Sequence, residues 1–253
     1  MREQKSQTIY FPNLPRVAAS GTVAGPKECA GVVGKYVDLA LDNDMFGEST
    51  YEKAECKMLR YAVDKTMENG GIDENELDLF ISGDLLNQII SASFAARDYS
   101  VPFLGVYGAC STMAESLALA ALTVDAGHAD NVIAATGSHF SSAERQYRYP
   151  LELGTTRPPQ SQWTVTGAGA TLIRAAQKTQ SRIAVTSATF GKVVDFGITD
   201  VNNMGAAMAP AACDTILAHF RDTGRSSSYY DLVVTGDLGA LGSRILKDLT
   251  WEK

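Results

Sequence analysis

The chain has 253 residues, 45% of them hydrophobic and 20% charged, which is enough apolar material for a sizeable core in one domain or two related halves. A formal net charge of −7 with no basic run excludes a nucleic-acid partner and a direct hold on anionic lipid, both of which need concentrated positive surface. Cys29, Cys56, Cys110 and Cys213 form no C-x-x-C pair, so no metal knuckle or thioredoxin-type motif is expected. The N-terminus lacks the apolar core of a signal peptide, and no uncharged stretch of about 18 residues could span a bilayer. A soluble, reduced, intracellular chain is expected.

In chain order, Ser49-Thr50-Tyr51-Glu52 has the form of a capping box. Ala54, Met58, Leu59, Ala62, Val63 and Met67 follow at helical spacing, and Gly70-Gly71 supply a left-handed stop. Leu77 to Ser82 reads as a buried strand ending at Gly83-Asp84, and Leu85 to Asp98 as a helix. Val101 to Tyr107 is extended, Ser111 to Ala126 helical with Gly127 as its cap, and Asn131 to Thr136 extended. Helices alternating with strands predict an α/β fold with mostly parallel sheets and helices on their faces.

Asp78-Leu79-Phe80-Ile81-Ser82-Gly83-Asp84-Leu85 recurs as Asp231-Leu232-Val233-Val234-Thr235-Gly236-Asp237-Leu238. Each copy follows a helix and a glycine-containing connection, which favours duplication over chance likeness of two buried strands. The expectation is of duplicated α/β half-domains, the first over residues 1–200 and the second starting at 201–253 but incomplete.

Val106-Tyr107-Gly108-Ala109-Cys110-Ser111-Thr112 reads as a strand, a tight turn of small residues and a helix start. Unpaired amides and the macrodipole at a helix start favour an anion. A thiol placed there tends towards a nucleophile, and the same amides could instead bind a ligand carboxylate. From the turn alone, a small buried core cysteine is the commoner outcome.

Gly108-Ala109-Cys110-Ser111-Thr112-Met113 after a strand resembles the nucleophile turn of thiolases and ketoacyl synthases, whose duplicated α/β half-domains carry the cysteine at the start of a buried helix. Further stretches resemble the thiolase-like stage V sporulation protein AD family of endospore-forming bacteria. They are Gly21-Thr22-Val23-Ala24-Gly25-Pro26-Lys27-Glu28, Ser82-Gly83-Asp84-Leu85-Leu86-Asn87-Gln88 and Ser138-His139 with Ala143 to Pro150. Val165 to Ala170, Gly191 to Asp195 and Met208 to Ala212 complete the set, in the expected order. The resemblance implies a role in binding dipicolinic acid (pyridine-2,6-dicarboxylate) and supporting its uptake into the developing spore. It further implies a peripheral subunit at the forespore or spore inner membrane, held there by other membrane subunits of the stage V sporulation A assembly, and a homo-oligomer.

A thiolase-type reaction needs a base for the thiol and donors for an oxyanion. Only His128, His139 and His219 are available; His128 and His219 read as solvated surface, and His139 follows a strand at the edge where α/β sheets place ligands. An acyltransferase acting through Cys110 is therefore the alternative, and binding without catalysis the primary reading. For a dicarboxylate, Cys110, Ser111 and Thr112 would offer amides, while Arg145 and Arg148 would offer guanidinium forks, with Tyr147 and Tyr149 between them for stacking. His139 could line the pocket, and Asp84 could either orient a ligand group or cap the following helix. Gly167-Ala168-Gly169-Ala170 lacks the strand–loop–helix context of a nucleotide loop, so no cofactor is expected.

Overall fold

The computed structural model describes residues 6–251. These form two compact units, one of Phe11–Leu151 with Thr164–Thr186 and one of the remaining described residues. In chain order the elements are β1 (Thr8–Tyr10), β2 (Arg16–Ala24), α1 (Pro26–Cys29), β3 (Leu39–Ala40) and α2 (Tyr51–Gly70). Then come β4 (Leu79–Gly83), α3 (Ile90–Ala96), β5 (Phe103–Gly105), α4 (Thr112–Asp125), β6 (Asn131–Ser138), α5 (Phe140–Tyr147) and β7 (Gly167–Arg174). The chain closes with β8 (Ser187–Thr189), α6 (Met204–Thr223) and α7 (Gly239–Trp251).

The larger unit is a six-stranded sheet in the order β3-β2-β7-β6-β4-β5. The β2–β3, β4–β5 and β4–β6 pairs run parallel, and β7 is antiparallel to both its neighbours, β2 and β6. The expected mostly parallel α/β architecture is therefore present. β4 and β6 read as near-continuous apolar runs because both their faces are covered. On one face α2 packs Met58, Leu59, Ala62 and Val63, and α3 packs Ala92 and Ala95, against Phe80, Ile133 and Leu172. On the other face α4 brings Ala120 and Val124 against Ile81, Val132 and Ile173.

α2 starts one residue away from the expected capping box. Thr50 is the cap, its hydroxyl accepting from Lys53 N at 3.3 Å, so the residue three positions on is a lysine and the reciprocal glutamate bond is not made. The stop is as expected, with Gly71 left-handed at φ 60°. The stretch expected as one helix from Leu85 to Asp98 is instead a short turn of 3-10 helix, Asn87–Ile89, leading into α3. Gln88 and Ile89 stand there at φ 61° and 46°, where side chains are disfavoured.

In the smaller unit β1 pairs antiparallel with β8, and α6 packs on α7. Gln162 Nε2 donates to the Leu238 carbonyl at 3.0 Å. The second copy of the internal repeat is not a strand: Leu232 and Val234 are exposed, whereas Phe80 and Ile81 in β4 are buried. β4 is extended because β5 and β6 take its backbone groups on both sides, and no described strand does this for 231–238. Sequence likeness between the copies carries the side chains but not the pairing partners.

α2 reaches the sheet closely where β2 lacks a side chain. A Cβ on Gly21 would lie 2.5 Å from the Ala62 carbonyl oxygen, a backbone atom that cannot step aside. Gly21→Ala is expected to destabilise the fold by about 1–3 kcal/mol, the usual scale for overpacking, read from urea unfolding midpoints.

Candidate functional site

β4 ends at Gly83 and β5 at Gly105, side by side, and the chain leaving β5 turns at Gly108 into α4. The turn is tight because Gly108 has no side chain: a Cβ would lie 2.5 Å from both Glu115 Oε2 and Ser111 Oγ. Ser111 N and Ser111 Oγ both donate to the Gly108 carbonyl, at 2.9 and 2.8 Å, and Gly108 N donates to Thr112 Oγ1 at 3.2 Å. Ala109 is left-handed at φ 47°. Residues Ala109–Ser111 form a turn of 3-10 helix and α4 begins at Thr112, so Cys110 stands one residue ahead of Ser111, the N-cap of α4. Cys110 and Ser111 are exposed, which sets aside the small-buried-cysteine reading, while Thr112 is buried and used by the turn itself.

The wall beside the turn is aromatic. The hydroxyls of Tyr107 and Tyr147 are hydrogen-bonded to each other, and Tyr147 donates to the Leu85 carbonyl at 2.6 Å. Burial and the hydrogen bond with Tyr107 push the Tyr147 phenol above its ordinary range, so it stays a donor near neutrality. Gln146 completes the wall: its Nε2 donates to Asn87 Oδ1 at 3.0 Å and its Oε1 accepts from Asn87 N at 3.1 Å.

Asp84 is a capping residue rather than a ligand-facing one. It is 1% exposed, and its two oxygens accept from Leu86 N and Ala92 N, each at 2.7 Å. Burial raises its carboxyl, and the backbone donors pull it partly back. Those two bonds clamp the segment that holds Gln88 and Ile89 at positive φ.

His139 is fully buried and caps α5 with its side chain. Its Nδ1 accepts from Ser141 N at 3.1 Å, which leaves the hydrogen on Nε2 to be donated to the Asp44 carbonyl at 3.0 Å. Burial lowers its basicity, so the ring is neutral with both nitrogens engaged, packed 5.0 Å from Tyr51. It is thus not placed to take the Cys110 proton. His128 is exposed as expected, but His219 is half-buried, with Thr189 Oγ1 2.7 Å from its Nδ1 and Tyr230 OH 2.5 Å from its Nε2.

The two arginines divide. Arg145 is exposed, paired with Glu52 and lying 5.6 Å from the Tyr51 ring centre. The Arg148 side chain is 4% exposed and pairs with Glu144 one helical turn back. Sequence reasoning did not single out Tyr107, Gln146 or Glu55, a fully buried acid of α2 that bonds Ser142 in α5 at 2.7 Å. The tyrosine in the strand before the cysteine turn was the available signal for the first; a glutamate on the apolar stripe of α2 was the signal for the last.

The sheet order and the cysteine turn define a thiolase-like α/β protein. Among solved structures the chain is similar to a variant of OleA from Xanthomonas campestris bound with cerulenin, at 13% identity and TM-score 0.67, over 97% of this chain and 82% of that one. It is also similar to 3-oxoacyl-(acyl carrier protein) synthase III, FabH, from Xanthomonas oryzae pv. oryzae, at 15% identity and TM-score 0.62, over 95% and 82%. More specifically, the chain belongs to the stage V sporulation protein AD family, whose pattern it matches over residues 5–253. It is 44% identical to stage V sporulation protein AD of Bacillus subtilis over 252 residues, covering 100% of this chain and 74% of that relative. No helix among the described residues is long and apolar enough to cross a membrane, and no cluster of metal-ligating side chains occurs among them.

Asp84→Ala leaves two buried amides unpaired and is expected to cost about 2–5 kcal/mol in urea unfolding. Asp84→Asn, which keeps one acceptor, should lose clearly less. Equal and small losses in both variants would show that the clamp does not hold the loop.

Proposed function

We propose that this chain is a sporulation protein that binds pyridine-2,6-dicarboxylate at the Cys110 turn and supports its uptake into the spore as the peripheral subunit of a membrane assembly. Family membership supports the role in sporulation. The single observation that carries the pocket is the exposed Cys110–Ser111 turn ahead of α4, with the phenol of Tyr107 half-exposed beside it. Ser111 N and Thr112 N are held by the Gly108 and Ala109 carbonyls, so the positive end of α4, rather than those two amides, would meet a carboxylate, and the Tyr107 ring offers a face to a planar pyridine. Arg145, on the exposed side of α5, would exchange its pairing with Glu52 for a ligand carboxylate. Arg148 supports the fold of α5 in this reading, as do Asp84 and His139 for their own segments.

Binding is favoured over acyl transfer because the one histidine beside the larger unit's sheet end has both ring nitrogens committed to backbone groups. Partner membrane subunits and self-association follow the same family reading.

Calorimetry with pyridine-2,6-dicarboxylate tests the proposal. Saturable binding is expected, weakened about tenfold by Tyr107→Ala, the scale of one lost aromatic contact with its buried area. Cys110→Ala and Arg145→Ala should each weaken it as well. A folded chain that takes up no ligand, or binding indifferent to all three changes, would overturn it.

A further inference from the structure

α5 carries Tyr147 and Gln146, the far wall of the Cys110 turn, and it is tied to α2 through a buried acid. Glu55 is 1% exposed and Ser142, in the first turn of α5, is 3% exposed. The Ser142 hydroxyl lies 2.7 Å from Glu55 Oε2 and 3.1 Å from the His139 carbonyl oxygen. A hydroxyl has one hydrogen and cannot donate to both acceptors at once. Each contact has a hydrogen of its own only when Glu55 carries a proton. The acid then donates to Ser142 Oγ, and Ser142 donates onward to the His139 carbonyl. When the proton leaves to solvent, the Ser142 hydrogen must turn to the carboxylate, and the His139 carbonyl keeps only its helical bond from Ala143 N at 3.0 Å.

The groups facing Glu55 come from each element packed on it: Glu52 from α2 itself, Asp84 from the segment after β4, Ser91 from α3 and Ser142 from α5. The two charged ones are both acidic, and each is already engaged, Glu52 with Arg145 and Asp84 with two amides. A carboxylate at position 55 would therefore be buried beside like charge, which is costly. We infer that Glu55 is a protonation latch: as a neutral acid it lies buried against the first turn of α5, and on ionising its carboxylate, which keeps the Ser142 bond but is buried beside acidic neighbours, draws water between α2 and α5 and with that loosens the Tyr147 wall of the site. The latch does not depend on which ligand the turn accepts.

Burial is the largest effect on the Glu55 carboxyl and pushes it up to about 8 from 4.5; Ser142 and Ser91 lower it, and Asp84 and Glu52 raise it. Because the folded value lies above the unfolded one, the folded state holds the extra proton between them. The Glu55 contribution to stability therefore falls as pH rises from 4.5 to about 8 and levels beyond.

The test is amide hydrogen exchange over residues 140–147, with thermal midpoints, for the full chain and for Glu55→Gln and Ser142→Ala, at about pH 6 and about pH 9. With intrinsic rates divided out, wild-type α5 should exchange about tenfold faster at the higher pH. Glu55→Gln, which cannot ionise, should change less than about twofold and should lose the fall in thermal midpoint. Ser142→Ala should exchange fast at both values, and it carries the test if Glu55→Gln does not fold. Parallel pH profiles for wild type and Glu55→Gln, or a rise in exchange spread evenly over the chain, would overturn the latch. So would a Ser142→Ala protein whose α5 stays protected at the lower pH.

Discussion

Asp84 sits where β4 ends, and its carboxylate takes the amide hydrogens of Leu86 and Ala92. Those bonds turn the chain back on itself between strand and α3 and hold two consecutive side-chain-bearing residues, Gln88 and Ile89, in left-handed conformations. Strain of this kind persists only where its surroundings over-determine it. Here the determinants are visible: the buried carboxylate, the reciprocal Asn87–Gln146 amide pair, and the Leu85 carbonyl that receives Tyr147. With that segment in place, α5 has a surface to bind and the Cys110 turn has a wall.

The polar groups around the turn are mostly spent on building it. Thr112 receives the Gly108 amide, His139 caps α5 and reaches Asp44, and Arg148 is buried with Glu144. Thiolase-type chemistry asks for a base poised at the thiol, and a neutral imidazole locked between two backbone groups does not supply one. What is exposed at the turn is narrower, namely Cys110, Ser111 and Tyr107. The thiolase-like fold is thus shared with enzymes while the polar groups around this turn serve the architecture.

Glu55 gives the same arrangement a dependence on protons. A buried acid between α2 and α5, flanked by Asp84 and Glu52, links the clamp after β4 with the helix that forms the wall. The strained segment, the acid and the tyrosine pair thus form one connected polar layer beneath the site. Such layers are stiff when every hydrogen has one acceptor and loosen when one is withdrawn.

The periodicity of α2, the apolar runs of β4 and β6 and the glycine stops were legible because they rest on local pattern and on burial of one face or two. The turn at Cys110 was legible as well, from a strand, small residues and a helix start, although it was the resemblance to thiolases, not the turn alone, that singled the cysteine out. The roles of Asp84, His139 and Arg148 were not, because whether a polar side chain meets a ligand or a backbone amide depends on what distant segments bring beside it. Asp44 meets His139 from 95 residues away, and Ser142 meets Glu55 from 87. The copy of β4 at 231–238 shows the same limit, since an apolar run becomes a strand only where neighbours take its backbone hydrogen bonds. The sequence by itself determined the fold class, the main helices and strands of the sheet and the cysteine turn, through periodicity and turn chemistry. Tertiary structure alone decided which polar groups remain open at that turn, because hydrogen-bond partners are assigned by packing between elements far apart in the chain.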